Sequence, residues 1–183
     1  MTARMATNPI LRFRDAVPTD VPALVELVTS AYRGEASRQG WTTEADLLDG
    51  NRIDPDVLLH DIARPCSRVL LAERDDELLA CAHVSDEGGA GYFGMFSVRP
   101  GLQGTGVGKA LLAEAERVVR DEWRLPAMRM TVIDLRDELI AFYERRGYRR
   151  TGIKKPFPYG DPRYGIPLRD DLRFEVLEKT LRE

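Results

Sequence analysis

The sequence predicts one mixed α/β domain, and three observations carry that prediction. Segments of period-two hydrophobicity alternate with 3.6-period stripes along the chain. A strand pattern ending at Val98 passes through a glycine-rich turn directly into an amphipathic helix. With 183 residues, 43% of them hydrophobic, the chain can bury one sizeable core but not two ordinary ones. Residues 1–9 are expected as a disordered tail and 10–183 as the domain.

Ile10 to Arg14 alternates apolar and charged residues, as a half-buried strand does. Thr19 and Asp20 are N-cap candidates, Pro22 fits a first helical turn, and Val21, Leu24, Val25 and Val28 share a face. This helix should end near Tyr32. Residues 33–53 are polar and glycine-punctuated, and a short helix is expected from Pro55 to Ala63. Arg68 to Glu73 and Glu77 to Ser85 read as strands joined at Arg74-Asp75-Asp76. Glu87-Gly88-Gly89 then turns into the strand that ends at Val98.

The following helix carries Leu111, Leu112, Ala115, Val118 and Val119 on one stripe. Met128 to Ile133 is a strand. Asp134 or Asp137 can cap the next helix, which stops at Gly147, a natural C′ residue. Tyr148 to Gly152 and Leu172 to Leu181 read as strands. Between them, residues 153–168 hold four prolines and three aromatics, a long loop.

The glycine turn carries the chemistry. Gly101, Gly104, Gly106 and Gly108 follow Pro100, and glycine lets another group approach the backbone closely. A helix start adds unpartnered amides and the positive end of the macrodipole. Together they make an anion site suited to a diphosphate. A P-loop is excluded, because Gln103 and Ala110 stand where a glycine and a hydroxyl are required. A dinucleotide fingerprint is excluded by Lys109 in place of the third glycine.

The spacing that remains is Gln-x-x-Gly-x-Gly at Gln103, Gly106 and Gly108. It resembles the acetyl-CoA pyrophosphate loop of the GNAT superfamily of N-acetyltransferases. The run Phe142-Tyr143-Glu144-Arg145-Arg146-Gly147-Tyr148, about 40 residues on, resembles that family's second signature. The resemblance implies a central mixed, mostly antiparallel sheet with a splayed central strand, flanked by helices. It implies acetyl-CoA as co-substrate, held by the backbone of Phe96, Ser97 and Val98. Gln103, Gly104, Thr105, Gly106, Val107, Gly108 and Lys109 would wrap its pyrophosphate. It implies Tyr143 as the acid that protonates the leaving thiolate. Family members often carry Asn and Ala where this chain has Arg136 and Leu139, so any contact of that Asn is in question here.

The implied reaction is direct attack of an amine on the thioester. The acceptor is a small cationic amine, an amino acid derivative or a peptide amine. A non-catalytic acyl-CoA sensor or scaffold is the alternative. Glu44 is the candidate base or amine anchor, with Tyr32 and Trp41 as pocket walls, because aromatics between carboxylates can cradle a cation. The loop from Lys155 to Tyr164 reads either as a cover over the acceptor or as a homodimer contact.

Composition narrows the classes. A net charge of −3 argues against a nucleic-acid binder and weakly favours a cationic substrate. Cys66 and Cys81 lack metal-ligand spacing and are expected as buried, reduced thiols, with no metal. His83, on an alternating strand, is expected as a satisfied core histidine. Met1 to Pro9 has no apolar core, and no apolar run is long enough to span a bilayer. A soluble, cytoplasmic protein is expected.

Overall fold

A seven-stranded sheet organises the chain in the computed structural model, which describes residues 10–33, 45–50, 52–161 and 165–182. The strands are β1 (Arg12–Asp15), β3 (Ser67–Arg74), β4 (Glu77–Asp86), β5 (Gly91–Val98), β6 (Ala127–Ile133), β7 (Arg149–Pro156) and β9 (Arg173–Thr180). Their order across the sheet is β1-β3-β4-β5-β6-β9-β7. All neighbours are antiparallel except β5 and β6. Two short strands, β2 (Leu48–Asp49) and β8 (Ile166–Pro167), form a separate pair. The predicted α/β domain with a mostly antiparallel mixed sheet is the fold observed.

Among the described residues, four α-helices cover the sheet: α1 (Val21–Tyr32), α2 (Pro55–Ala63), α3 (Val107–Arg117) and α4 (Asp137–Glu144). Strand alternation sorts the core into two layers. Ala80, Ala82 and Val84 of β4 point to the layer shared with Leu111, Leu112 and Ala115 of α3 and Ile140 of α4. Cys81 between them points to the opposite layer, with Leu24, Leu27 and Val28 of α1 and Leu58 of α2. Burying each such Leu or Val contributes about 1.5–3 kcal/mol. A third cluster joins Leu48, Ile133, Phe157 and Leu172 near the β2–β8 pair.

Several boundaries differ from the sequence reading. β7 runs on to Pro156, so the first part of the expected loop 153–168 is strand. It is an edge strand that carries Arg149, Arg150, Lys154 and Lys155, a charge pattern that discourages further pairing. Neither Asp134 nor Asp137 caps α4. Its N-cap is Arg136 and lacks a side-chain cap, while the Asp134 carboxylate accepts from Lys154 at 3.3 Å and Arg173 at 3.1 Å. α3 does not stop cleanly but passes into a π-turn, Val118–Glu122. Cys66 is exposed, not buried, because it sits in the α2–β3 turn with φ +50.

Candidate active site

β5 parts from its parallel neighbour almost at once. It pairs with β6 only through Gly91↔Met128 and Tyr92↔Arg129, although the two strands have eight and seven residues. On its other side, β5 follows β4 with an irregularity between Cys81 and His83. The surplus residue there is Met95, with φ +54, a bulge that turns the strand locally. From Phe93 onward the edge facing β6 therefore has no ladder partner on that strand. Unpaired backbone of this kind needs another hydrogen-bonding partner, such as an extended ligand arm.

Between the parted strands lies a cavity of ≈ 520 Å³. Its walls include Gly94 to Phe96 of β5, Met130 to Ile133 of β6, Tyr143 of α4 and Tyr32 at the end of α1. Tyr32 is 3% exposed, and its phenol donates to the Phe96 carbonyl. Its ring faces two guanidiniums, Arg52 at 4.8 Å and Arg136 at 5.3 Å. Tyr32 thus lines the cavity, with its hydroxyl committed to the strand. Ser97 and Val98 are buried, and the Ser97 hydroxyl donates to the Met95 carbonyl at 3.0 Å, bracing the bulge.

Tyr143 is fixed by a helix terminus the sequence made legible. Gly147 has φ +94, and its amide donates to the Glu144 carbonyl at 3.0 Å. The next amide, Tyr148, reaches back to the Tyr143 carbonyl at 3.2 Å. These two bonds form a Schellman motif with Gly147 as C′. The Tyr143 ring packs among Phe93, Phe96, Phe142 and Tyr148, with centroids 5.4–6.3 Å away. Burial pushes its phenol well above the usual tyrosine range; nearby Tyr32 adds to this, Arg136 opposes it, and Tyr92 adds again. The group is therefore a neutral donor throughout the physiological range.

The glycine turn continues from the splayed strand. Gly106 is the N-cap of α3, with φ +87 and ψ −2, a left-handed conformation that strains any residue with a Cβ. The first intrahelical bond runs from Ala110 to Gly106, which leaves the amides of Val107, Gly108 and Lys109 outside the helical ladder. The space beside Gly101, Gly104 and Gly106 is open, with no atom within 4 Å of a built Cβ. Gly108 differs: a Cβ there would meet Phe96 Cζ at 2.8 Å, so the helix start and the splayed strand touch through it. Thr105 donates its hydroxyl to the Leu102 carbonyl, closing the turn. Gln103 is half-buried and Lys109 exposed. These features fit the phosphate end of a CoA ester: open backbone, aligned amides and a helix N-terminus. Arg99, at the strand end, is instead turned back onto the Leu78 carbonyl at 2.8 Å.

Glu44 and Trp41 lie outside the described residues, as does Glu35. Their segment begins directly after Arg33, which itself lines the cavity. Lys155 to Pro158 line it too, so the start of the proline-rich segment forms part of the cavity wall. Sequence reasoning missed Tyr92, Arg33 and Arg52. Tyr92 had a usable signal: a ring two residues from Gly94 on one strand face, where a glycine Cβ would meet the Tyr92 ring at 2.6 Å. His83 is buried beside Ser67, its Nε2 2.8 Å from the hydroxyl, which is the satisfied core role expected of it.

The chain is thus an α/β protein whose central strands splay over a cavity, with one strand feeding a glycine turn and a helix start. The model of the acetyltransferase (GNAT) family matches residues 23–148, and the chain belongs to that family. Solved structures share the fold. A ribosomal-protein-alanine N-acetyltransferase from Brucella melitensis superposes with a TM-score of 0.68 at 20% identity, over 92% of this chain and 99% of that one. A variant of the spermidine N-acetyltransferase SpeG from Vibrio cholerae gives 0.68 at 13% identity, over 93% and 94%. The PaiA N-acetyltransferase from Thermoplasma acidophilum, in complex with coenzyme A, gives 0.66 at 18% identity, over 93% and 99%. No curated protein sequence matches the chain.

Proposed function

We propose that the protein is an acetyl-CoA-dependent N-acetyltransferase whose acceptor is a primary amine that attacks directly within a ternary complex. The observation that carries this reading is the parting of β5 from β6 after Tyr92, which opens a cavity walled by Tyr143 and continuous in sequence with the glycine turn. Acetyl-CoA supplies an activated acetyl thioester. The amides from Gln103 to Lys109 hold its pyrophosphate, and the free edge of Phe96 to Val98 receives its pantetheine arm. An amide of that edge aimed at the thioester carbonyl contributes about 3 kcal/mol toward stabilising charge developing there.

The amine nitrogen forms the new bond to the acetyl carbon as the carbon–sulfur bond breaks and its electron pair passes to sulfur. Tyr143 donates its phenolic proton to that sulfur and is restored by the proton the amine gives up. A buried phenol with a raised pKa is held in the form this step needs. Glu44 is the proposed base or amine anchor and Trp41 an acceptor wall, while Tyr32 shapes the cavity and ties down Phe96. The membrane plays no part in this reading; no described helix is long and apolar enough to cross one. The acceptor is a small amine, an amino acid derivative or a peptide terminus, and the related structures include enzymes named for spermidine and for a ribosomal protein.

The test is free-thiol release from acetyl-CoA across polyamines, amino acids, arylamines and short peptides. Amine-dependent release supports the transferase. Silence across the panel, with acetyl-CoA binding confirmed by calorimetry, overturns catalysis in favour of an acyl-CoA sensor.

A further inference from the structure

Four cationic side chains converge on the cavity from four different parts of the chain. Arg33 follows α1, Arg52 precedes α2, Arg136 caps α4, and Lys155 lies at the end of β7. No Asp or Glu stands among the described residues that line it. Arg33 is buried, at 4% exposed. Arg52 and Arg136 are set against the same Tyr32 ring, which holds both guanidiniums at one wall. A guanidinium has five N–H donors in a fixed fork, so a partner elsewhere still leaves donors for a carboxylate. The CoA phosphates do not account for this charge, because none of the residues from Gln103 to Lys109 lines the cavity. The other walls include apolar side chains, Leu48, Met95, Phe157 and Phe174 among them.

We infer that the acceptor is a free α-amino acid with an apolar side chain, its carboxylate held by the Arg52–Arg136 pair and its amine delivered toward Tyr143. This rests on the acetyltransferase reading and names its substrate class. It also departs from the expectation drawn from net charge alone: the protein is acidic as a whole, while the described side chains that line this cavity include four cations and no carboxylate. A polyamine lacks the group that a guanidinium fork recognises, whereas a carboxylate meets charge-assisted donors. The same cations favour the neutral form of the amine beside them, the form that attacks. A peptide terminus carries an amide where the free amino acid carries a carboxylate, so it lacks the recognised group.

The experiment uses the intact protein with acetyl-CoA and compares L-methionine, L-leucine and L-phenylalanine with their α-carboxamides and with spermidine. At least one free acid should exceed its amide about tenfold or more in kcat/KM, with spermidine below both. Amides equal to or better than acids, or a preference for spermidine, overturns the inference. Arg52→Gln should raise the amino acid KM about tenfold and leave the acetyl-CoA KM unchanged. A rise confined to the acetyl-CoA KM assigns the guanidinium to CoA and also overturns it. Should no acceptor be acetylated, calorimetry in the presence of CoA separates the two readings. Binding of L-methionine but not L-methioninamide keeps the anion site while the transferase reading falls. Equal binding of both, or of neither, overturns the anion site.

Discussion

The phenol of Tyr32, at the end of α1, donates to the backbone carbonyl of Phe96, 64 residues away on the splayed strand. The bond crosses from a helix to the stretch of β5 that has left its β6 ladder, just past the Met95 bulge. It gives that carbonyl a partner and fixes the angle at which the strand leaves the sheet. Tyr32→Phe removes the donor and leaves the carbonyl buried. The expected loss of stability is about 1–3 kcal/mol, read from urea denaturation. Because the freed strand edge would also lose its orientation, kcat should fall by more than the acetyl-CoA KM rises. A variant with wild-type stability and wild-type kcat would remove Tyr32 from the positioning role.

Tyr143→Phe keeps the ring and its four aromatic neighbours and deletes only the hydroxyl. Loss of a positioned general acid should lower kcat by roughly 10²–10⁴-fold, with acetyl-CoA affinity retained. The direction of the phenol's shift also fixes the pH behaviour. With its pKa pushed above the usual 10.0 by burial, the wild-type group stays protonated, so it should impose no alkaline fall in kcat below about pH 10. A descending limb between pH 8 and 9 that disappears in the phenylalanine variant would contradict this.

Gly106 and Gly108 should respond differently to substitution, although they are two residues apart in one motif. Gly106 faces open space but has φ +87, so Gly106→Trp both strains the turn and fills the cradle; acetyl-CoA binding should be abolished. Gly108 has ordinary helical geometry but lies against Phe96, and Gly108→Ala places a methyl 2.8 Å from Cζ. Helix propensity favours the alanine by about 1 kcal/mol. Overpacking against a buried ring costs about 1–3 kcal/mol, so the net effect should be destabilising, by thermal or urea unfolding. Acetyl-CoA binding unchanged in the Gly106 variant would refute the loop assignment.

Legibility in the sequence followed the range of the interaction. Gly106 and Gly147 were readable because each meets a local demand, a left-handed residue at a helix start or stop. The turn at Asp75-Asp76 was readable for the same reason, and both residues have positive φ. β7 beyond Gly152 was not, because an exposed edge strand of Lys and Arg carries no apolar alternation. The Met95 bulge depends on the register of two strands, and nothing in Gly-Met-Phe specifies it. The cationic cavity was least legible. Arg33, Arg52, Arg136 and Lys155 are scattered over the chain, and each alone reads as a solvated surface charge. Only folding brings them to one cavity.

Stability should be greatest near neutral pH, and two buried groups set its limits. His83 is held neutral mainly by burial, which lowers its pKa from the usual 6.5 against the opposing pull of Asp61. Below pH 6.5 the unfolded chain takes up the proton first, so this contribution is present above pH 6.5 and is lost as pH falls toward the depressed folded value. Cys81 acts at the other end. Burial pushes its thiol from 9.0 up to about 12, so the unfolded chain loses its proton first. That contribution is complete below about pH 8.5, the free-thiol range, and declines as pH rises toward the folded value. Urea midpoints across pH 5 to 11 should therefore trace a plateau with two falling limbs. His83→Gln can keep a hydrogen bond to Ser67, and it should flatten the acid limb alone. Cys81→Ala should flatten the alkaline limb in part, because Tyr143 and Tyr148 shift in the same direction and remain. An acid limb of unchanged slope in His83→Gln would assign acid lability to the carboxylate pairs at the surface instead.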